Sequence, residues 1–577
     1  MRSVQDRSAP MGMACTRVAE RVQASLGNLE TAVAPVFEES VDVARAGVML
    51  SLPALMANGL LRHSERLFRL PDGYYGLVHI FLTLAWMALT RVKNCERLRY
   101  EPCGEWGRLL GLDRIPEVRT MRRKIGVMAQ EDAVRQWSAA LSQEWMEADP
   151  QAAGWLYVDG HVRVYHGSQT KQPRRFVSRE RLCMRGVTDY WVNDSVGRPF
   201  FVVSTPLTDG LLTMLRQEIV PRLLREVPGQ PGPDQLQADP LLSRFTIVFD
   251  REGYSPAFIK EMWEQRIACL SYHKFAGPAW PESEFSDQIV TLSHGAKTMT
   301  KLAERGTLLA PGLWVREVRK LTQTGHQTSV ISTQMGCDGA QMAGRMFSRW
   351  SQENYFRYMI EHFDLDALGG YSLEPIDETT KVVNPAWRAV DAKVRTLVAK
   401  LSRRLAGFGA TAIDADADPA KIAEHQAGQA TLREEIDLLQ QDVKQLKETR
   451  TQTQKKIELK HLPENERFGV LAPTKKLFLD TIRMISWRAE TAMSDILREK
   501  LARPDDSRAL LREIFTTEAD LFPDYEARTL TVRLHHLTNN ISDQAARHLM
   551  EHLTQTETLY PGTEMRLIYK MVSDQNP

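Results

Sequence analysis

A bias toward either charge is the first thing missing from these 577 residues. Lys plus Arg number 74 and Asp plus Glu 73, a net charge of +1. Any attraction to nucleic acid or membrane must therefore come from local patches. Cysteine is sparse: Cys15, Cys95, Cys103, Cys183, Cys269 and Cys337, none of them in a C-x-x-C pair. That argues against a zinc ribbon or a thioredoxin-type site, and scattered thiols fit a reducing compartment. Long apolar runs are lacking too. The most apolar stretch, Gly76 to Thr90, is 15 residues long and carries His79. A spanning helix needs ~20 apolar residues, so this one reads as a buried core helix and no membrane role is expected. The opening MRSVQDRSAP has no apolar signal segment, and the expected location is the cytoplasm. No internal repeat or strongly biased tract is present. With 43% apolar and 25% charged residues, disordered, collagen-like and disulfide-scaffold classes are excluded. At ~150 residues per domain the length predicts three or four domains.

What is present changes texture along the chain. Residues 1–150 have helical apolar spacing, with a polar start. From Trp155 the runs become strand-like: WLYVDGHVRVYHG, then TDYWVND and RPFFVVST around a turn at Ser195–Gly197. Helical periodicity covers Asp209–Val227, and RFTIVFD (244–250) reads as a buried strand closing on an acid. Ser255-Pro256 opens a helix, and IACLSYHKF (267–275) is another strand. A β-rich stretch at 276–340 includes a hairpin around Gly325, and a helix is predicted from Ala343 to His362 within 341–375. In 385–465, a helix at Pro385–Leu405 precedes Leu432, Ile436, Leu439, Val443 and Leu446, the seam of a coiled coil. The two helices are expected to form an antiparallel hairpin, used for spacing or for dimerisation. The region 466–577 holds a long helix at 477–499 and a small strand–helix–strand unit.

The strand order places two acids, Asp159 at the end of the first strand and Asp250 at the end of the fourth, where open sheets gather ligands. Three antiparallel strands followed by parallel ones resemble the ribonuclease H-like core, an α/β fold in which the first and fourth strands are neighbours. Two adjacent carboxylates repel unless a cation lies between them, and Mg²⁺ favours such oxygen ligands. A third acid is expected on the 343–362 helix. Glu353 is the candidate, with Arg349 and Arg357 one turn before and after it, and Glu361 is its rival.

With these residues in view, the sequence resembles the DDE transposases of bacterial insertion sequences. The matching residues are Asp159 in YVDGHV, Asp250 in IVFDREGYSP and Glu353 in RWSQEN. The Arg-Trp-x-x-Glu spacing, with Arg349 as its arginine, matches one branch of that family, and 276–340 stands where the family carries its β insertion. FRLPDGYYGL (68–77), IPEVRTMRRK (115–124) and LDTIRMISWRAETAM (479–493) are also similar to transposases of this size, so the resemblance covers most of the chain. Two positions depart from the branch signature: Met346 replaces a Tyr and Ile360 a Lys, both residues that contact DNA ends in the family. The resemblance implies cleavage of element ends and their joining to target DNA. It implies two Mg²⁺ ions bridged by Asp159, with Mn²⁺ able to substitute, and no covalent protein–DNA intermediate. Implied partners are double-stranded DNA and a second copy in a homodimer, acting at the bacterial nucleoid.

Two basic patches fit that partner. Residues 160–186 hold Arg163, Lys171, Arg174, Arg175, Arg179, Arg181 and Arg185 against Glu180, and read as a phosphate-binding connection beside the site. Residues 91–124 hold ten basic and five acidic groups. Within them 106–125 reads as a helix-turn-helix, or as a plain helical hairpin, offering Arg119, Arg122 and Arg123 to DNA. His161, two residues past Asp159, touches phosphate or a metal-bound water, or is structural. Arg251 and Tyr254 contact DNA or pack a turn. The basic groups near Lys455, Lys456 and Lys460 read as a solvated face of the coiled coil. Two other functions use the same residues: a metal-dependent nuclease without strand joining, and a non-catalytic DNA-binding regulator.

Overall fold

The computed structural model describes residues 17–167, 171–177, 180, 182–205, 210–293, 295–367, 373–374, 376–410, 419–464 and 466–572. The polar start (residues 1–16), residues 411–418, Arg179 and Arg181 lie outside the described residues. Before Trp155 the described chain is helical apart from one strand, β1 (Ser40–Val43). The apolar run forms α1 (Leu77–Leu89), buried as expected. Inside it, His79 Nδ1 accepts the Gly76 N–H at 3.0 Å, and burial pushes its imidazole down to about 4, so it stays neutral. The helices α2 (Val118–Met128) and α3 (Glu131–Ala148) follow.

The central sheet is built from β2 (Trp155–Val164), β3 (Arg174–Val177), β4 (Leu182–Asn193), β5 (Pro199–Thr205), β6 (Thr246–Phe249) and β7 (Ala268–Tyr272). It continues with β8 (Ser286–Thr291), β9 (Lys297–Ala310), β10 (Leu313–Leu321) and β11 (Gln327–Ser332). The order is β3-β4-β2-β6-β7-β11-β10-β9-β8, with β5 also on β4. β4 is antiparallel to β2 and β5, whereas β2, β6 and β7 are parallel. The first and fourth strands of the predicted order, β2 and β6, are therefore neighbours. Every residue of β6 is buried, as a central parallel strand covered on both faces requires. The β-rich stretch extends this same sheet: β11 pairs with β7 at Val330↔Tyr272. Gly325, at φ 78°, closes the β10–β11 hairpin as predicted.

The helix predicted at Ala343–His362 is two helices, α4 (Gly339–Phe347) and α5 (Trp350–Phe363). Ser348 ends the first: its hydroxyl donates to the Gly344 carbonyl at 2.7 Å and accepts the Ser293 N–H at 2.8 Å. The apolar spacing runs through this break, so the pattern alone conceals it. α5 starts against the β4–β5 turn, where the Ser351 hydroxyl donates to the Ser195 carbonyl at 3.0 Å. That turn needs Gly197, at φ 90°, because a Cβ there would lie 2.9 Å from the Ser351 carbonyl oxygen.

Beyond α5, α6 (Pro385–Ala410) and α7 (Pro419–Gln452) form an antiparallel hairpin. Ile436, Leu439 and Val443 are buried, and the ion pairs Arg404–Glu435 and Arg450–Asp391, each 2.9 Å, cross the hairpin. The seam is thus spent within one chain, which removes it as a free dimer surface. β12 (Leu373–Glu374), β13 (Lys381–Val383), β14 (Lys456–Glu458) and β15 (Val470–Leu471) make two short antiparallel pairs, β12 with β15 and β13 with β14. Lys455, Lys456 and Lys460 therefore fall in and around β14, past the coiled-coil face assigned to them.

α8 (Pro473–Arg498) runs through the core. Its Phe478 joins Phe68, Phe81 and Trp137 in an aromatic cluster with ring centroids 5.4–5.7 Å apart. The tail adds β16 (Ala519–Asp524), β17 (Thr529–Leu534), α9 (Asn540–Gln555) and β18 (Arg566–Met571). A second sheet, β1-β16-β17-β18, ties the start of the described chain to its end. No helix among the described residues is long and apolar enough to cross a membrane.

Candidate active site

The parallel ladder between β2 and β6 runs from Trp155↔Thr246 to Val158↔Phe249. Asp159 and Asp250 are the next residue on each strand, so the ladder delivers both acids to one end of the sheet. Asp159 does not end its strand, contrary to the sequence reading: β2 continues to Val164 against β4. Asp250 leaves β6 and caps a short turn, its Oδ1 accepting the Glu252 N–H at 2.8 Å.

α5 carries the third acid to them. Arg349, at its N-terminal end, donates from Nη1 to Asp159 Oδ2 and from Nη2 to Glu353 Oε1, both at 2.7 Å. One guanidinium therefore lies between an acid of the sheet and an acid of the helix, the position a cation is expected to take. The Asp159 side chain is only 19% exposed. Its carboxyl is held up at about 6: burial raises it most, Arg349 pulls it down, and Asp250 and Glu353 raise it. The three carboxylates are not drawn to within 4.8 Å of one another, as the two clusters with that spacing among the described residues are elsewhere. Glu361 is exposed and lies 3.7 Å from His362, so of the two candidates it is Glu353 that reaches Asp159 through Arg349.

The neighbouring residues fix this geometry. Gln352 is fully buried. Its amide donates to the carbonyls of Tyr157 and Trp191, both at 3.2 Å, and to Asn193 Oδ1 at 3.0 Å, pinning α5 to β2 and β4 one residue from Glu353. The Tyr157 hydroxyl donates to the Arg345 carbonyl at 2.7 Å and ties α4 to the same strand. Tyr272, at the end of β7, lies among Arg349, Arg251, Glu353 and Asp250, and burial raises its phenol. Sequence reasoning missed Gln352 and Tyr272. The only signal for either was adjacency, Gln352 to Glu353 and Tyr272 to a strand end.

His161 is buried, its Nε2 lies 2.6 Å from Asp366 Oδ1, and its ring stacks on Phe356. That favours the structural use left open by the sequence. Arg251 covers the Tyr272 ring at 5.4 Å, and Tyr254 packs near His273 and Phe275.

The basic patches divide. Arg163 is buried in a two-pronged ion pair with Asp189. Arg175 is buried and donates to the Thr205 carbonyl at 3.0 Å. Both therefore leave the phosphate-binding set, because their guanidinium groups stabilise the sheet instead. Lys171 and Arg174 are exposed, and so is Arg357, one turn past Glu353. In the N-terminal patch α2 buries Met121, Ile125 and Met128 and exposes Arg119, Arg122 and Arg123 on its other face; Arg122 pairs with Glu96. At the two departures from the branch signature, Met346 is fully buried and Ile360 packs against the core.

A family model described as "Transposase protein" matches residues 12–573. No curated protein matches the chain. Among solved structures the chain is similar to the piggyBac transposase in its synaptic complex with hairpin DNA, at 9% identity and a TM-score of 0.29. That match covers 55% of this chain and 66% of the other, just under two thirds of its length.

Proposed function

The chain belongs to the transposase protein family, and from that premise we propose that it is a DDE transposase of a bacterial insertion sequence. It cuts the ends of its element and joins them to target DNA by in-line phosphoryl transfer. Asp159, Asp250 and Glu353 are the three acids of this reading. The observation that carries it is the Arg349 guanidinium joining Asp159 of the sheet to Glu353 of the helix.

The donor set suits Mg²⁺, with Mn²⁺ as a substitute: three carboxylates are hard oxygen ligands, and a cationic group already rests on two of them. Asp159, Asp250 and Glu353 would hold two ions, which when bound supply an activated water or DNA 3′-OH and stabilise the leaving 3′ oxygen. The protein's own contribution is orientation. Gln352 and Tyr157 hold α4 and α5 on β2, and Arg349 keeps Asp159 and Glu353 facing one another. Arg357, Arg174 and Lys171 supply exposed charge for the DNA backbone, and α2 offers Arg119, Arg122 and Arg123 to the element ends. Arg179 belongs to the same proposed set by its position in the sequence. Partners are double-stranded DNA and a second copy that pairs two ends.

One observation favours a narrower reading. Met346 is buried and Ile360 partly buried against the core, and neither is the Tyr or Lys with which the branch contacts DNA ends. A nuclease that cuts without joining would need neither. The test is incubation with DNA carrying the inverted repeats that flank the gene, a target plasmid and Mg²⁺. Cut ends covalently joined to the plasmid support the transposase. Metal-dependent cutting without joined product supports the nuclease, and binding with no cutting supports the regulator.

A further inference from the structure

Away from the acids, three side chains converge at the junction of α8 and α9. His548 and His552 lie one turn apart on α9, with ring centroids 4.6 Å apart and planes at 83°. Glu499 follows the last residue of α8, and its Oε2 is 3.4 Å from His548 Nε2. One ligand atom from each of the three lies within 4.8 Å of the other two. Two ligands at about 2.05 Å from a tetrahedral ion stand roughly 3.3–3.4 Å apart, so the His548–Glu499 separation fits adjacent ligand positions. The carbonyls at the C-terminal end of α8 add favourable potential for a cation. Imidazole and carboxylate donors together suit a borderline ion such as Zn²⁺ over Mg²⁺.

The second cluster of this spacing, Asp42, Asp520 and His535, does not offer the same opening. There Asp520 already accepts Arg533 at 2.9 Å, His535 at 2.9 Å and the Asp42 N–H at 2.9 Å, so both of its oxygens are taken by the protein's own donors. Glu499 and His552 are instead exposed and His548 partly buried, and solvent can supply the fourth ligand.

We propose that Glu499, His548 and His552 bind one Zn²⁺ ion that fastens α9 of the C-terminal unit to the end of α8. The site is independent of the proposed DNA chemistry. The test adds Zn²⁺ to the full chain with Mg²⁺ in excess to occupy the acids, and follows metal content by equilibrium dialysis and stability by thermal melting. The wild type is expected to hold one Zn²⁺ at this site and to melt several degrees higher with it. His548→Ala, His552→Ala and Glu499→Gln should each weaken Zn²⁺ binding by about tenfold or more and abolish the rise. Co²⁺ in its place should give visible bands of a four-coordinate ion that vanish in the same variants. DNA cleavage by these variants should match the wild type. A wild type without Zn²⁺ binding would overturn the site, as would folded His548→Ala and Glu499→Gln variants that bind and melt like the wild type.

Discussion

At the scale of single residues, the site depends on groups that never touch the acids' own oxygens. Gln352 gives both amide hydrogens to buried acceptors of β2 and β4. Gln352→Leu removes these three hydrogen bonds, and chemical denaturation should register a loss of about 1–3 kcal/mol. Cleavage should fall as well, since Glu353 is the next residue. Unchanged stability would show that the amide does not hold α5. Asp159 and Asp250 were legible in the sequence because each follows a short apolar run, and two such runs read as adjacent parallel strands. Arg349 was legible through its spacing from Glu353. Gln352 and Tyr272 were not, because their partners are brought together only by the folded sheet. Arg163 misled for the same reason: in sequence it is one of seven basic groups, and in the fold Asp189, two positions from its direct partner on β4, neutralises it.

At the scale of elements, a buried carboxylate on β10, Glu317, ties β9, β10 and β11 together. Burial pushes the Glu317 carboxyl up, but the adjacent His273 and hydrogen bonds from Thr307, Ser329 and Arg319 outweigh it and hold the group at about 2, against 4.5 for an ordinary glutamate. An unfolded glutamate takes up its proton near 4.5 and the folded one only near 2. The stabilisation is therefore complete above about 4.5 and is lost as the pH falls from there toward 2. Glu317→Gln should melt lower than the wild type at pH 5, with the gap closing as the pH drops through that window; a constant gap would contradict this anchoring. For α2 the measurement is salt dependence. If Arg119 meets a phosphate, Arg119→Ala should reduce the slope of log affinity against log salt by about 1. An unchanged slope would make the exposed face merely solvated. The break between α4 and α5 was not legible, because Ser348 ends the helix through a loop residue, Ser293, distant in sequence.

Over the whole molecule, one large apolar cluster among the described residues draws on the chain from Val33 to Tyr569, with two smaller clusters apart from it. β1 pairs with β16, the Tyr560 hydroxyl donates to the Leu109 carbonyl at 2.8 Å, and the Tyr569 hydroxyl to Met49 at 3.0 Å. None of this was legible: β1 is four residues of mixed exposure, and its partner lies at the far end of the chain. Truncation after residue 500 should therefore unfold the N-terminal helices as well, seen as loss of their protease resistance. A truncated chain with those helices still protected would mean that they fold alone. The central claim, that Asp159, Asp250 and Glu353 form a metal-dependent DNA-cutting site, is tested most directly by cleavage of end-labelled DNA spanning the element boundaries, in Mg²⁺ or Mn²⁺. Wild type and Glu361→Ala should both cut at the repeat boundary and only with metal, whereas Glu353→Ala should not cut. Cutting that survives in Glu353→Ala and disappears in Glu361→Ala would contradict the assignment.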